Sequence, residues 1–195
     1  MRHAVIVAHP NPASFTGSLA SAYREEGAAR GQEVMVRDLY GMRFDPCLQE
    51  SEMPWSKHFA LRGDVIAERE LLKDVDVFAL FYPLWLNLPP AILKGYLERV
   101  FVMDSAHHPG GADNASPSKP RKLISVTSSG APTDWVIRTG ALQTMREQFD
   151  GYFAGVCGLE VVDHLHFGAI VPGIRADAVE ADRQTVRKAF ARHFG

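Results

Sequence analysis

The sequence of 195 residues contains only two cysteines, Cys47 and Cys157, which stand far apart in the chain. Two distant cysteines fit neither a disulfide framework nor a zinc motif, so we expect reduced thiols and no metal site. Lysine and arginine number 21 against 23 aspartate and glutamate residues, a formal net charge of −2. Without an excess of positive charge, we expect neither a nucleic-acid-binding protein nor one that docks on an anionic membrane.

Long hydrophobic runs are also missing. The first apolar run, Ala4 to Ala8, ends at His9 and is too short for a signal peptide or a membrane span. We therefore expect a cytosolic protein with no direct membrane insertion. The length and the 46% hydrophobic content suit one domain over residues 1–195, since a single core serves chains of up to about 250 residues.

Two glycine-rich signatures are absent, G-x-G-x-x-G and G-x-x-x-x-G-K-[ST], which argues against a dinucleotide-binding fingerprint and a P-loop. What the chain does contain is an alternation of short hydrophobic runs with helical periods, the pattern of a parallel sheet. Five strands are predicted, at Ala4–Ala8, Glu33–Asp38, Asp76–Tyr82, Lys122–Thr127 and Glu160–Phe167. This predicts an α/β, doubly wound parallel sheet with helices on both faces, in the flavodoxin-like order 2-1-3-4-5.

Helices are predicted between and after these strands. They begin after a capping Ser14, near Asp64 and at Pro90, and two more surround Phe149–Val156 and Val186–Phe194. Gly41–Trp55 is irregular, and Asp104–Pro120 is a long loop. The charge runs Arg24–Glu26 and Glu68–Glu70 are expected to be solvated. His164 and His166 alternate along one strand, and we expect a solvent-facing or sheet-edge location for them because no third metal ligand is evident.

In the predicted order, the loops that follow the first, third and fourth strands meet at one edge of the sheet, where such folds bind ligands. The first loop enters a helix whose free N–H groups suit a phosphate, and His9, Ser14, Phe15 and Thr16 lie there. Taken alone, this segment also fits an ordinary capped helix.

The other two loops suit a flat ring. Pro83, Pro89 and Pro90 stiffen the loop that carries Trp85 and Asn87, although a tryptophan there also fits a core-filling role. The third loop, Val126–Trp135, has small hydroxyl residues and Gly130, where a backbone can lie against a ring, and it also fits a common strand-to-helix turn.

Together, "AHPNPASFTGSLA", "YPLWLNLPPAILKGYLERVF" and "VTSSGAPTDW" resemble the NAD(P)H:quinone oxidoreductase family, the DT-diaphorase type of flavodoxin-like flavoprotein. The segments "DLYGMRFDP" and "GVCGLEV" extend the resemblance over most of the chain. The run Pro90–Gly95 in its Tyr-Pro-Leu-Trp context is the most specific part.

The resemblance implies a flavin site. Flavin phosphate would contact His9, Ser14, Phe15 and Thr16, and the isoalloxazine would contact Pro83, Leu84, Trp85, Leu86, Asn87, Thr127, Ser128, Ser129 and Gly130. Trp135 and Ala141 stand where well-known members have a tyrosine and a histidine that stabilise charge on reduced flavin. A Tyr–His relay is therefore absent, and His107 or His108 in the long loop is a candidate substitute, although adjacent loop histidines also fit a solvated role.

The resemblance also implies hydride transfer from NAD(P)H to flavin and then to a quinone or another planar aromatic acceptor, by a ping-pong mechanism in a homodimer. FAD is favoured over FMN because Gly41–Trp55 lengthens the chain beyond a minimal flavodoxin. One alternative is a flavin-binding ancillary subunit of a potassium-efflux transporter. Another, a one-electron carrier, is weakened by the modest net charge.

Overall fold

Five parallel strands form one sheet in a computed structural model that describes residues 1–101 and 120–195. The strands are β1 (Arg2–Val7), β2 (Glu33–Asp38), β3 (Val77–Pro83), β4 (Arg121–Ser128) and β5 (Leu159–Phe167). Their order is β2-β1-β3-β4-β5. The predicted fold class and strand order are confirmed, and each strand end lies within two residues of its predicted position.

Helices connect these strands. They are α1 (Phe15–Ala29), a 3-10 turn (Glu50–Glu52), α2 (Gly63–Leu72), α3 (Ala91–Val100), α4 (Thr133–Arg138), α5 (Ala141–Thr144), a π-helical stretch (Met145–Gly151), α6 (Tyr152–Cys157) and α7 (Ala176–Phe194). Ser14 caps α1 as predicted, because its Oγ accepts the Gly17 N–H at 3.1 Å. Pro90 occupies the N-cap of α3 rather than its first helical position.

Apolar side chains of the sheet alternate between two cores. Phe78, Leu80 and Tyr82 of β3 pack with α3 and α6, whereas Val77, Ala79 and Phe81 pack with α1 and α7. All six are fully buried. A strand covered on both faces needs a continuous hydrophobic run, which is why the sequence identified β3 so clearly.

A buried ion network, which we call the Arg99 network, holds the segment after β2 against α2 and α3. It comprises Arg99, Glu52 and Asp64. The guanidinium donates to both carboxylates, with shortest contacts of 2.7 Å to Glu52 and 2.9 Å to Asp64, and also to the backbone oxygen of Asp45 at 2.6 Å. The irregular segment Gly41–Trp55 is thus fixed by side chains more than by regular secondary structure.

The prediction that the charge run Glu68–Glu70 is solvated is wrong for Glu68. Glu68 is buried, and its carboxylate accepts hydrogen bonds from Arg37 at 2.5 Å and from the Tyr96 hydroxyl at 2.6 Å. Leu71 on the same helix is 41% exposed. Because α2 is short and has few apolar residues, its sequence pattern does not show that the Glu68 carboxylate, with its two hydrogen-bond partners, faces the core.

Candidate functional site at the carboxyl edge of the sheet

Hydrogen bonds join the loops that leave the sheet at its carboxyl edge. The Ala8 N–H donates to Phe81 O at 3.0 Å, and the Leu84 N–H donates to Ser128 O at 2.7 Å. The rings of His9 and Trp85 lie 6.0 Å apart between their centroids. The first, third and fourth strand-end loops therefore meet, as the predicted strand order requires.

The first loop presents unpaired donors. Ser14 Oγ satisfies the Gly17 N–H, whereas the N–H groups of Phe15 and Thr16 have no acceptor within the described parts of the chain. The loop closes tightly, since a Cβ on Gly17 would lie 2.9 Å from Pro12 O. Two free N–H groups at the positive end of a 15-residue helix form a site for an anion.

His9 adds a side-chain donor beside this helix end. Its Nδ1 lies 3.0 Å from the Asn11 N–H and accepts that hydrogen bond, so a neutral His9 carries its proton on Nε2. Within residues 1–101 and 120–195, Nε2 has no partner. A cavity of about 160 Å³ between His9, Ser14, Arg24 and Asp38 opens beside the same loop.

The second loop is a tight turn with strained backbone. Trp85 and Leu88 exchange two backbone hydrogen bonds of 3.0 Å, and the residues between them, Leu86 and Asn87, have φ values of 52° and 59°. Non-glycine residues seldom adopt this left-handed conformation, which tends to occur at functional sites. Leu86 is 98% exposed, so the turn projects from the edge of the sheet.

The third loop has a buried part and an exposed part. The Thr127 hydroxyl points into the sheet, where it contacts His164 and His166, and the Ser129 N–H donates to Phe167 O. Gly130 is exposed. Thr127 thus anchors the strand end, and the exposed surface of this loop begins at Ser129 and Gly130.

Trp135, in α4, is 49% exposed. Ala141 begins α5, and its carbonyl accepts a hydrogen bond from the Asn87 amide at 3.4 Å, so the second loop and α5 adjoin. His107 and His108 lie outside the described residues. The site residues assigned by resemblance otherwise occupy the three adjoining loops, and their roles stay predictions.

Sequence reasoning missed a buried hydrogen-bonded chain beneath the third loop, which we call the His164 network. It consists of Ser125, Asp150, His164, Thr127, His166 and Ser129, in that order. His164 and His166 lie on β5, an edge strand of the sheet, so the sheet-edge location is confirmed. The solvent-facing location is wrong, because His164 is buried and His166 is partly buried. Both ring nitrogens of His164 have protein partners, Asp150 and Thr127.

A register shift between β4 and β5 creates this network. Leu123 pairs with Val161 but Ile124 pairs with Asp163, so one extra residue on β5 brings His164 beside Ser125. Asp150 then approaches from the π-helical stretch. A period-two pattern in β5 indicates that the two histidines share a face, but it does not show this shift or the distant carboxylate.

The sheet order and the helices on both faces define a doubly wound α/β protein of the flavodoxin type. A family model described as flavodoxin-like fold matches residues 1–193. The chain belongs to this family.

Relatives within the family are named for redox chemistry. An uncharacterized NAD(P)H oxidoreductase of Haemophilus influenzae is 30% identical over 87% of this chain and 85% of its own. The solved NAD(P)H:quinone oxidoreductase of Methanothermobacter marburgensis has a TM-score of 0.81 and 27% identity, with 100% of this chain and 98% of that chain covered. NAD(P)H dehydrogenase [quinone] 1 of Cavia porcellus is 28% identical over 70% of this chain, which spans 56% of that protein. The resemblance to the quinone oxidoreductase family is confirmed.

No helix in residues 1–101 and 120–195 has the length and apolar character to cross a membrane. In the same ranges, no three His, Cys, Asp or Glu side chains are grouped as metal ligands would be.

Proposed function

We propose that this protein is an NAD(P)H:quinone oxidoreductase that uses a tightly bound flavin. The observation that carries the proposal is the pair of free N–H groups at Phe15 and Thr16, joined in space to the strained Trp85–Leu88 turn. The first feature suits the phosphate of a flavin nucleotide, and the second suits a flat ring. The redox names of the relatives, including one at 30% identity, support the same chemistry.

The residues present fit a flavin. His9, Ser14, Phe15 and Thr16 would hold its phosphate with hydrogen-bond donors at the α1 N-terminus. Leu84–Asn87 would support one side of the ring, largely by main-chain groups, and Ser128–Gly130 another. The N–H groups of Leu86 and Asn87 have no acceptor in the part of the chain that the structure describes, so they remain available to ring oxygens.

The protein's own contribution to the chemistry is placement and electrostatics. A bound flavin would supply the capacity to accept hydride from NAD(P)H and pass reducing equivalents to a quinone. The rigid turn at Leu86 and Asn87 and the rings of His9 and Trp85 would position a planar substrate over the site. A single pocket used in turn by donor and acceptor implies ping-pong kinetics.

Three finer features belong to this proposal. We favour FAD, with FMN as the alternative, and we expect a homodimer in the cytosol. Exposed Trp85, Trp135 and Tyr152 are large apolar side chains available for a subunit interface or a substrate. Sedimentation velocity of the purified protein tests the dimer, and a monomer at micromolar concentration would contradict it.

The phosphate assignment is tested by Ser14→Asp. Aspartate caps a helix about as well as serine, so α1 keeps its cap, but the carboxylate repels a phosphate at the same N–H groups. We expect normal thermal stability and at least a tenfold loss of flavin affinity, on the scale of 1–2 kcal/mol for a charge at a helix terminus. Fluorescence titration with FAD and FMN measures the affinity.

Thr185→Asp, on the exposed face of α7, is the charge-matched control and should bind flavin normally. Trp85→Ala should weaken binding of the flavin ring, whereas Ile66→Ala, at an exposed position of α2, should not. Unchanged flavin affinity in both Ser14→Asp and Trp85→Ala would contradict the site assignment. Flavin retention without NAD(P)H-dependent quinone reduction would contradict the enzyme and favour a flavin-binding ancillary subunit.

A further inference from the structure

The His164 network is continuous from the buried interior to the carboxyl edge of the sheet. Ser125 Oγ donates to Asp150 Oδ1 at 2.8 Å, and Asp150 Oδ2 lies 2.5 Å from His164 Nδ1. The remaining separations are 2.8 Å from His164 Nε2 to Thr127 Oγ1, 2.9 Å from there to His166 Nδ1, and 3.1 Å from His166 Nε2 to Ser129 Oγ. Four of the five links have ordinary hydrogen-bond length, and the link between Asp150 and His164 is shorter.

In one arrangement every ring is neutral. His164 then donates from Nδ1 to the Asp150 carboxylate and accepts the Thr127 hydroxyl proton at Nε2. Thr127 Oγ1 in turn accepts from His166 Nδ1, and His166 Nε2 accepts the Ser129 hydroxyl proton. All five links are satisfied with Asp150 ionised and both histidines neutral.

A second arrangement holds one more proton and reverses three of these links. Ser129 donates instead to Ala131 O, which lies 2.9 Å from its Oγ, and accepts from His166 Nε2. Thr127 then donates to His166 Nδ1 and accepts from His164 Nε2. The extra proton resides on His164, which donates from both ring nitrogens beside the Asp150 carboxylate. No heavy atom has to move between the two arrangements.

We propose that the His164 network is a proton relay between Ser129, at the candidate flavin edge, and the buried His164–Asp150 pair. This proposal rests on the proposed function. Reduction of a quinone to a hydroquinone by NAD(P)H transfers one hydride and consumes one proton, which has to reach the acceptor from water. The relay would hold that proton below the site and release it through Ser129.

The surroundings determine where the proton rests. Burial first, and then His164 and Arg146, lower the pKa of His166 to about 4, so the proton does not rest there near neutral pH. The Arg146 guanidinium donates to His164 O, and Asp163 accepts the His164 N–H and pairs with His193. Asp150 is thus the carboxylate that contacts the His164 ring itself.

The far end of the network lies beside the Tyr82 hydroxyl. The Tyr82 hydroxyl is buried near Asp150 and is the one buried side-chain polar atom without a hydrogen-bond partner in residues 1–101 and 120–195. Burial and then the charge of Asp150 raise the pKa of Tyr82 well above its ordinary value, so it does not ionise. In the proposed relay, proton exchange with the site runs through Ser129.

The relay is tested first without reference to turnover, by ¹⁵N NMR of histidine side chains in the full chain as purified, between pH 6 and pH 9. We expect the added proton on His164, with both ring nitrogens protonated, while His166 stays neutral. His166→Gln keeps a donor and an acceptor but does not pass a proton, so it should slow exchange of the His164 ring protons with water. Protonation of His166 before His164, or unchanged exchange in His166→Gln, would overturn the relay.

Turnover provides the second arm. We expect His166→Gln to lower kcat for quinone reduction on the order of 10²-fold, with flavin retention and KM for NAD(P)H unchanged and the pH profile shifted. Ser129→Ala should also lower kcat, and Ser129→Thr should restore it, because the relay requires only the hydroxyl. His193→Gln is the control outside the network. If the wild type lacks quinone reduction, the proposed function fails, whereas the NMR arm still decides whether the relay exists. A normal pH profile and kcat in His166→Gln would refute it.

Discussion

The protein buries two polar networks that differ in kind. The Arg99 network consists of one guanidinium and two carboxylates, whereas the His164 network consists of imidazoles, hydroxyls and one carboxylate. Although burial opposes its charge, hydrogen bonds with Glu52 and Asp64 raise the pKa of Arg99 above its ordinary value. A group that never loses its proton can hold chain segments together but cannot relay a proton. Imidazole and hydroxyl groups can do both.

Removal of the Arg99 guanidinium should cause the largest loss of stability. Arg99→Met leaves Glu52 buried without its guanidinium partner, and removal of one partner from a buried pair costs about 3–5 kcal/mol. Urea unfolding at pH 7 should show that loss. Arg62→Met is the matched control, since Arg62 pairs with Asp45 at the surface and should cost about 0–1 kcal/mol. Equal effects of the two substitutions would show that the Arg99 network does not support the fold.

The segment that the Arg99 network holds also packs on a glycine. A Cβ on Gly95 of α3 would lie 2.1 Å from Pro46 O, so Gly95→Ala forces the segment and the helix apart. We expect a loss of about 1–3 kcal/mol, the usual cost of overpacking. Gly155→Ala, in α6 with open space around the new methyl group, should instead gain about 0.5–1 kcal/mol. Thermal unfolding of both variants gives the sign of each stability change. Unchanged stability in Gly95→Ala would contradict the close packing of Gly95 on Pro46.

The His164 network should show itself in the pH dependence of stability. The folded pKa of His166, about 4, lies below its ordinary value of 6.5, so the unfolded chain binds more protons between these values. Its contribution is present above pH 6.5 and is lost as the pH falls towards 4. The wild-type urea midpoint should therefore decrease between pH 7 and pH 5, and His166→Gln should flatten this dependence. Parallel curves for the two proteins would contradict the lowered pKa.

The sequence revealed the sheet better than the networks. The strand β3 and the part of β1 from Ala4 onward are continuous apolar runs, and each apolar residue there needs only a covered face, so the local pattern suffices. Ser14 as the cap of α1 also follows from local chemistry, because a serine hydroxyl suits the N–H three residues ahead. Such features need no knowledge of distant partners.

The polar interior depends on contacts between residues far apart in sequence. Glu68 has a solvated pattern on α2, and only Arg37 and Tyr96, 31 and 28 residues away, make its burial favourable. His164 meets Ser125 because of a register shift that no periodicity predicts. The three loops at the carboxyl edge of the sheet were predicted in part. The sequence predicts which residues form these loops. It does not predict the left-handed turn at Leu86 and Asn87, because neither residue is a glycine.

The absorption spectrum of the purified protein, with mass analysis of the released chromophore, tests the central claim most directly. We predict a yellow protein that carries about one flavin per chain, with absorption bands that NAD(P)H bleaches and a quinone restores. A colourless protein that takes up neither FAD nor FMN would contradict it.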